Sequence, residues 1–390
     1  MEAVGRLGDR IESVTTEIVD LPIRRPHRFA NHSLDAQSCL LVRVRTADGL
    51  EGVGEATVPG GPWWGGESVE TLQELVHRYL SPYLVGEDPG RIEFLSGRMD
   101  VAVAGSRSGK AAVEMALWDI AATRLGVPVY DLLGGMVHSS FPCLWAVATG
   151  DVATDIAEAE TRYDEWGPRR FKVKLGRRTP DADVAHGAAL AEALAGRAGI
   201  VTDMNGTWDE LTATRMLPRL EAAGVELFEQ PVAAWNIDAL TRLADRLDAP
   251  IMADESLHTT QDAVRLAQAR AADVFSLKIS KAGGIANLKK VAAVAEGAGI
   301  GCMAGSALET SLLTAANLHV CATLPRVSEG AELFGPLWLA DDIVETPIAY
   351  RDGHVIVPRG VGFGVRLDED KVDKYRRPDS RREARPGDAV

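Results

Sequence analysis

Cysteine is scarce in this chain of 390 residues, and no two of its four cysteines are spaced as a recognisable motif. They are Cys39, Cys143, Cys302 and Cys321. Close pairs such as CxxC bind zinc or carry redox chemistry, and dense cysteines cross-link small secreted domains. The sequence therefore argues against those classes of protein. We expect four reduced, buried thiols in a cytoplasmic protein.

Positive charge is also in short supply, because 42 Lys and Arg face 56 Asp and Glu and leave a net charge of −14. Nucleic-acid binding needs clustered cations, so this balance argues against such a partner. The longest apolar region, residues 291–308, contains Glu296 and several glycines and makes a poor membrane span. The first residues, MEAVGRLGDRIESV, lack the apolar stretch of a signal peptide. We expect a cytoplasmic protein whose few gathered lysines suit a small anionic substrate.

Strand-like runs recur through the middle of the chain, and each carries charged side chains at or near its C-terminal end. The runs are RRFKVKL (169–175), GIVTDMN (199–205), VELFEQP (225–231), PIMADES (250–256) and VFSLKIS (274–280). The charged residues are Lys172, Lys174, Asp203, Glu229, Asp254 and Lys278. The C-terminal ends of strands in a β/α barrel open into one mouth. The pattern therefore predicts that these six side chains share one site.

Strand candidates alternate with amphipathic helical segments over residues 136–340, and this alternation predicts a parallel α/β barrel. Three further runs bring the candidates to eight: CLWAVAT (143–149), GIGCMAG (299–305) and VSEGAEL (327–333). The connection after the eighth candidate is irregular, so we expect the last helix of the barrel to be missing or altered.

Residues 1–135 contain strand patterns followed by helical patterns, and they predict a separate α+β capping domain. Two polar loops, 24–37 and 59–67, interrupt this region. Residues 341–374 return to β patterns, and we expect them to pack against the capping domain. Residues 375–390 are charged and contain proline, which predicts a disordered tail.

Three carboxylates form the first candidate group of the site. Asp203, Glu229 and Asp254 offer hard oxygen ligands without sulfur or imidazole, the donor set that suits Mg²⁺ or Mn²⁺ rather than Zn²⁺. Three protein ligands leave coordination positions that a substrate carboxylate could fill. The alternative is that each residue is a solvated or capping carboxylate. That alternative accounts well for one acidic residue at a strand end, but poorly for three on consecutive strands.

Lysines form the second group. Lys172 and Lys174 project to the same side of their strand because strand side chains alternate. Two ammonium groups about 4 Å apart repel by roughly 4 kcal/mol at an effective dielectric of 20, which lowers a lysine pKa towards neutrality. Such a lysine is an effective general base, and the alternative is an ion-paired or solvated lysine pair. The implied reaction is proton transfer next to a carboxylate, through an enediolate that the metal stabilises.

The KVK pair at 172–174, the Asp/Glu/Asp set and Lys278 resemble the enolase superfamily, in its muconate-lactonizing-enzyme subgroup. Further segments that carry the resemblance are LVRVRTADGLEGVGEAT, GGPWWGGES, IMADES, FSLKISKAGG and AELFGP. The resemblance covers nearly the whole chain and implies an α+β capping domain on a (β/α)7β barrel, a modified TIM barrel. It also implies a homo-oligomer that converts cis,cis-muconate, or a substituted muconate, to a muconolactone.

The resemblance further implies a role for each charged residue. The implied metal ligands are Asp203, Glu229 and Asp254. Lys174 would deliver or remove the proton at the α-carbon of the lactone, Lys172 would assist it, and Lys278 would stand on the opposite face. Glu332, in AELFGP, would be a second functional acid or a carboxylate that only orients a lysine.

Candidate substrate contacts lie on strand ends and loops. They are Asn205, Ser306, Trp63 and His32. Ser306 belongs to GSALETS (305–311), whose amides could bind a carboxylate or form a plain turn. Trp63 and Trp64 could shape a lid or belong to an interface. His32 and His27 could contact the distal carboxylate, and solvated histidines are the alternative.

Related activities differ in residues that can be checked in this sequence. Mandelate racemases use a histidine at the end of the seventh strand, and GIGCMAGSAL (299–308) contains none. Dipeptide epimerases carry an Asp-x-Asp on the eighth strand, which SEGAELFGP lacks. N-acylamino acid racemases and o-succinylbenzoate synthases share the lysines and the carboxylates, so they stay open. A non-catalytic metal-binding barrel, acting as a sensor or scaffold, is a third alternative.

Overall fold

The computed structural model describes residues 10–59 and 61–387, and its N-terminal part is an antiparallel sheet covered by helices. The strands are β1 (Ile11–Arg28), β2 (Ser33–Thr46) and β3 (Glu51–Thr57). The helices are α1 (Pro62–Gly65), α2 (Val69–Leu75), α3 (Ile92–Ala102), α4 (Arg107–Leu125) and α5 (Val129–Leu132), with a π-helical turn at Val76–Leu80 and a 3-10 turn at Ser81–Tyr83. The predicted loop 24–37 is mostly strand, because β1 and β2 extend into it and leave only residues 29–32 as the connection.

Two glycines of β3 let helix α4 lie directly on this sheet. A Cβ at Gly54 would stand 1.9 Å from the carbonyl oxygen of Ala112, and one at Gly52 would stand 2.1 Å from that of Ala116. Only glycine permits two backbones to approach so closely. Helix α4 also contacts the helical turn that follows Lys278, so it connects the capping sheet to the rest of the molecule.

Strands and helices alternate from residue 140 onwards. In chain order they are β4 (Ser140–Pro142), β5 (Trp145–Val147), α6 (Val152–Trp166), β6 (Arg170–Lys174), α7 (Pro180–Ala193), β7 (Gly199–Asp203), α8 (Glu210–Ala222), β8 (Val225–Glu229), α9 (Ile237–Ala244), β9 (Ile251–Ala253), α10 (Thr260–Ala269), β10 (Val274–Leu277), α11 (Ile279–Ala282), α12 (Ile285–Ala298), β11 (Gly301–Ala304) and α13 (Ser311–Ala322). Several of the helices begin at a residue whose side chain accepts a first-turn amide hydrogen. These N-caps are Asp151, Asp209, Asn236, Thr259 and Thr310.

Strands β5 to β11 form one parallel sheet of seven strands in sequence order. Their side chains are mostly buried, as expected for parallel strands with helices over one face and packed side chains on the other. The predicted eighth strand, 327–333, is reduced to Ala331, which makes single parallel bridges to Ala304 and Cys143. Gly330, with φ of +74°, interrupts the extended backbone there. The architecture is therefore a parallel half-barrel with a capping domain, and a continuous eight-stranded barrel is not confirmed.

The C-terminal segment returns to the capping domain. Its elements are α14 (Gly335–Trp338), β12 (Tyr350–Arg351), β13 (His354–Ile356), α15 (Glu369–Tyr375) and β14 (Arg382–Ala384). Strand β13 pairs antiparallel with both β12 and β4, and β14 pairs antiparallel with β1. The predicted disordered tail is wrong for residues 375–387, because Arg377 forms an ion pair with Asp20 at 2.7 Å and β14 extends the sheet. Residues 388–390 of that prediction lie outside the described part of the chain.

All four cysteines are buried free thiols, which confirms the prediction made from their spacing. All four pack among apolar side chains of one hydrophobic core. Within residues 10–59 and 61–387, no helix combines the length and the apolarity that crossing a membrane requires.

Candidate active site

The C-terminal ends of the parallel strands surround a small cavity of about 20 Å³, room for roughly one water molecule. Six charged residues singled out in the sequence line it: Lys174, Asp203, Glu229, Asp254, Lys278 and Glu332. Strands β7 and β8 end at Asp203 and Glu229, and Asp254 directly follows β9. In the sheet, these three strands lie between β6 and β10. Lys174 and Lys278 therefore approach the cavity from opposite sides of the carboxylates.

Each of the three carboxylates is paired with a lysine. Lys174 Nζ lies 2.5 Å from Asp203 Oδ2. Lys278 Nζ lies 2.7 Å from Asp254 Oδ2, and Lys281 Nζ lies 2.5 Å from Asp254 Oδ1. These two lysines lower the pKa of Asp254 despite the opposing effect of its burial.

Lys172 lies beneath the cavity and is fully buried. Its Nζ forms ion pairs with Glu229 and, at 2.6 Å, with Glu332. Burial alone would lower the pKa of Lys172, but the two carboxylates outweigh burial and hold this pKa above its ordinary value. The prediction that Lys172 forms a mutually repelling base pair is therefore wrong, and the ion-paired alternative holds for this lysine.

The three carboxylates are almost inaccessible to solvent: Asp203 and Glu229 are each 1% exposed and Asp254 is 2% exposed. Burial and the charge of Asp203 raise the pKa of Glu229 to about 8. Over residues 10–59 and 61–387, no group of three or more His, Cys, Asp or Glu stands in position to hold a metal ion, since these carboxylates turn to lysines. Their hard oxygen donors, gathered without sulfur or imidazole, nevertheless fit a divalent cation such as Mg²⁺.

Hydrogen bonds around the cavity position these carboxylates. Asn205 donates through Nδ2 to Asp203 at 3.2 Å and to Glu255 at 3.1 Å. Gln230, held at φ of +37°, accepts the backbone N–H of Asp254 at 3.0 Å. Lys281 donates to both the carboxylate and the backbone oxygen of Asp254.

Sequence reasoning missed Glu255, Gln230 and Lys281. Sequence signals could have identified two of them, Gln230 and Lys281. Gln230 directly follows the strand-end Glu229. Lys281 stands three residues after Lys278, a spacing that places two side chains on one face of a helical turn.

Two of the four predicted substrate contacts, Asn205 and Ser306, line the cavity, whereas Trp63 and His32 do not. Instead, Trp63 and His32 stack on each other with ring centroids 5.4 Å apart. Trp64 lines the cavity in their place, and its ring centroid lies 5.3 Å from Lys278 Nζ. Successive residues of a helical turn such as α1 point about 100° apart, so only one of the two tryptophans faces inwards.

His27 also lines the cavity, but as a packed side chain. It is 1% exposed and lies among the rings of Phe29, Phe334 and Trp338. Burial lowers the pKa of His27 well below its ordinary value. The solvated alternative is therefore wrong for this histidine, which lines the cavity as a buried, neutral side chain.

The loop of residues 305–310 uses two of its amides internally. The N–H of Ala307 donates to Glu309 at 2.5 Å, and the N–H of Leu308 donates to Ser306 Oγ at 2.9 Å. These two amides are therefore not open to a substrate carboxylate, which favours the plain turn over the carboxylate-binding alternative. The Ser306 side chain remains the polar group that this loop presents to the cavity.

This capping domain, parallel sheet and strand-end cluster of lysines and carboxylates define a protein of the enolase superfamily. The model of the mandelate racemase / muconate lactonizing enzyme N-terminal domain matches residues 12–134. The enolase C-terminal domain-like model matches residues 154–371. The chain therefore belongs to the mandelate racemase / muconate lactonizing enzyme family.

Several known proteins resemble the chain over nearly its full length. A chloromuconate cycloisomerase of Cupriavidus necator is 45% identical over 94% of this chain and 99% of its own. Muconate cycloisomerase 1 of Rhodococcus opacus is 43% identical over 94% of this chain and 98% of its own. The crystal structure of the muconate lactonizing enzyme from Pseudomonas fluorescens, complexed with muconolactone, superposes with a TM-score of 0.93 at 42% identity and covers 95% of this chain and 100% of that one.

Proposed function

We propose that this protein is an isomerase, a cycloisomerase that closes cis,cis-muconate, or a chlorinated or alkylated muconate, to a muconolactone. The named relatives support it with 43–45% identity over 94% of the chain. The observation that carries the proposal is the approach of Lys174 and Lys278 to one cavity from opposite sides of three buried carboxylates. Such an arrangement suits proton transfer at a carbon next to a carboxylate.

The proposal includes a divalent cation, Mg²⁺ or Mn²⁺, held by Asp203, Glu229 and Asp254. Their hard oxygen donors and near-complete burial support it, because clustered buried carboxylates need compensating positive charge. When bound, the cation would stabilise negative charge that develops on the substrate carboxylate.

Lys174 is the proposed proton donor and acceptor at the α-carbon, and the carboxylate of Asp203 holds its Nζ in place. Lys278 supplies positive charge on the opposite face. Lys172 bridges Glu229 and Glu332, so it orients these two carboxylates and has no contact with the cavity. The same ion pair favours the orienting role for Glu332 over a role as a second acid.

We also propose that Ala331 closes the parallel sheet into a (β/α)7β barrel, since it bridges towards both edges of the sheet. In this proposal residues 1–135 form the capping domain, 136–340 the barrel and 341–374 the returning segment. The separate antiparallel and parallel sheets support this division. By resemblance to the family, we also propose that the protein binds a small dicarboxylate, is cytoplasmic and forms a homo-oligomer.

The test is to follow muconate absorbance with added Mn²⁺ and to identify the product by NMR in D₂O. The wild type should form the lactone, and Lys174→Ala should lose about a thousandfold in kcat, because general acid/base groups contribute about 10²–10⁴. Mn²⁺ binding, followed by electron paramagnetic resonance, should survive in this variant. Lys290→Ala, which removes a half-exposed surface lysine, is the matched control. Wild-type turnover in Lys174→Ala would reject the assignment.

The opposed lysines also suit a second candidate in the same family, a racemase of N-acylamino acids or an o-succinylbenzoate synthase-type enzyme. Lysines on two faces could remove a proton on one side and return it on the other. Deuterium incorporation at the α-carbon of an N-acylamino acid, with muconate left unchanged, would favour this candidate. Binding of Mn²⁺ without any turnover would instead favour the non-catalytic alternative.

A further inference from the structure

Ser306 and Glu309 form a buried hydrogen-bonded pair in the loop between β11 and α13. Ser306 is 8% exposed and lines the cavity, and Glu309 is fully buried behind it. The Ser306 hydroxyl donates to Glu309 Oε2 at 2.9 Å and accepts the N–H of Leu308 at 2.9 Å. Leu308 has φ of +61°, so the loop makes a tight turn around the pair.

A serine hydroxyl has one hydrogen and two lone pairs, and this count fixes what Ser306 can offer to the cavity. With Glu309 ionised, the hydrogen goes to Glu309 and one lone pair goes to Leu308, so only a lone pair remains. With Glu309 neutral, its own hydrogen goes to Ser306 Oγ and both lone pairs are used. The serine hydrogen is then free to donate into the cavity.

The surroundings of Glu309 favour its neutral form. Its Oε1 has no hydrogen-bond partner, and over residues 10–59 and 61–387 no Lys or Arg forms an ion pair with it. The titratable groups that face it are Glu55 on β3, Cys143 and Tyr350, none of which is a cation. Burial, with the charge of Glu55, raises the pKa of Glu309 to about 7.

We propose that Glu309 is a positioning residue that turns Ser306 into a hydrogen-bond donor to a substrate carboxylate, and that Glu309 takes up a proton from solvent when a dicarboxylate binds. The inference rests on the proposed function, because a dianionic substrate needs donors and is repelled by an exposed lone pair. The proton returns to solvent when the product leaves. Glu309 touches neither the substrate nor the reacting carbon.

The test uses adipate, a saturated six-carbon dicarboxylate that cannot cyclise, and titration calorimetry of the Mn²⁺-loaded protein. Wild-type affinity should fall about tenfold between pH 6.5 and pH 8.5, because the neutral form of Glu309 binds preferentially. The binding enthalpy should differ between two buffers of different ionisation enthalpy, and this difference measures the protons taken up on binding. In Glu309→Gln the side-chain amide donates a hydrogen bond to Ser306 at every pH. This variant should therefore bind adipate tightly at both pH values and take up no proton on binding. Ser306→Ala lacks the hydroxyl and should bind adipate weakly at both pH values.

The matched control is Asp342→Asn. Asp342 is another buried carboxyl near the start of α13, but it accepts from Ser311 and does not touch Ser306. This variant should keep the wild-type pH dependence. With muconate as substrate, the pH effect should appear in KM while kcat stays constant, which a purely structural role of Glu309 would not produce.

Two results would overturn the inference: an unchanged pH dependence and proton uptake in Glu309→Gln or in Ser306→Ala, or no adipate binding by the wild type. A wild type that leaves muconate unchanged would instead reject the cycloisomerase proposal. The adipate measurement would still decide the role of Glu309 in that case, so the two failures can be told apart.

Discussion

Glu114, on α4, connects the capping domain to the parallel half-barrel and should make the stability of the fold depend on pH. Its Oε1 accepts the N–H of Ala286 at 3.2 Å and so caps the start of α12. The residue is 1% exposed, and its Oε2 has no hydrogen-bond partner. Gly284 leaves the space for this oxygen, since a Cβ there would stand 1.7 Å from it. Burial raises the pKa of Glu114 from 4.5 to about 7.

The sign and the size of the effect follow from this pKa. Between pH 4.5 and pH 7 the folded state keeps a proton that the unfolded chain has lost, so the free energy of unfolding falls as the pH rises. Each pH unit in this window is worth about 1.4 kcal/mol. The ionised Glu114 should therefore cost the folded state about 3 kcal/mol at pH 8, and nothing below pH 4.5.

Glu114→Gln keeps the accepting oxygen and removes the charge. At pH 8 it should be more stable than the wild type by about 3 kcal/mol, and the difference should shrink towards zero near pH 4.5. Urea unfolding followed by tryptophan fluorescence at several pH values measures this difference. Glu12→Gln, at a half-exposed residue of β1, is the control and should change little. A gain that is absent at pH 8, or that grows as the pH falls, would refute the reasoning.

Three further perturbations test other parts of the structure. Lys172→Met leaves Glu229 and Glu332 buried without their shared cation. Denaturant unfolding should show that the free energy of unfolding falls by about 3–5 kcal/mol and that added Mn²⁺ partly restores it. Unchanged stability would contradict the ion pairs. Gly54→Ala forces a methyl group against a helix carbonyl and should lower the melting temperature, at a cost of about 2 kcal/mol or more. Burial lowers the pKa of His319 to about 4, so stability should fall by about 3 kcal/mol as the pH drops from 6.5 to 4. His319→Gln should flatten this acid dependence in a circular-dichroism titration, and a variant with the wild-type slope would count against it.

The charged cluster could be predicted because strand geometry alone places it. Lys174, Asp203 and Glu229 are the last residues of their strands, and Asp254 and Lys278 directly follow theirs. Parallel neighbours in one sheet bring such positions together whatever the connecting loops do. The same rule does not say which lysine meets which carboxylate, so the buried pairing of Lys172 had to come from the structure.

Residues on loops and short turns could not be predicted in this way. The choice between Trp63 and Trp64 depends on a four-residue helix after Gly61, whose φ of +102° no periodic pattern encodes. Lys281 reaches Asp254 only because the short helix α11 turns it back towards the cavity. Arg377 finds its partner Asp20 at a separation of 357 residues, and composition alone cannot reveal a contact of that range.

Strand β14 completes the edge of the antiparallel sheet beside β1, and this pairing has a consequence for biosynthesis. A chain grows from its N-terminal end, so β1 leaves the ribosome early and waits for residues 382–384 to emerge. Every parallel strand is made in that interval. The parallel half-barrel of the nascent molecule can therefore fold before the capping sheet is complete. Until then β1 keeps an unpaired edge that invites association with other chains.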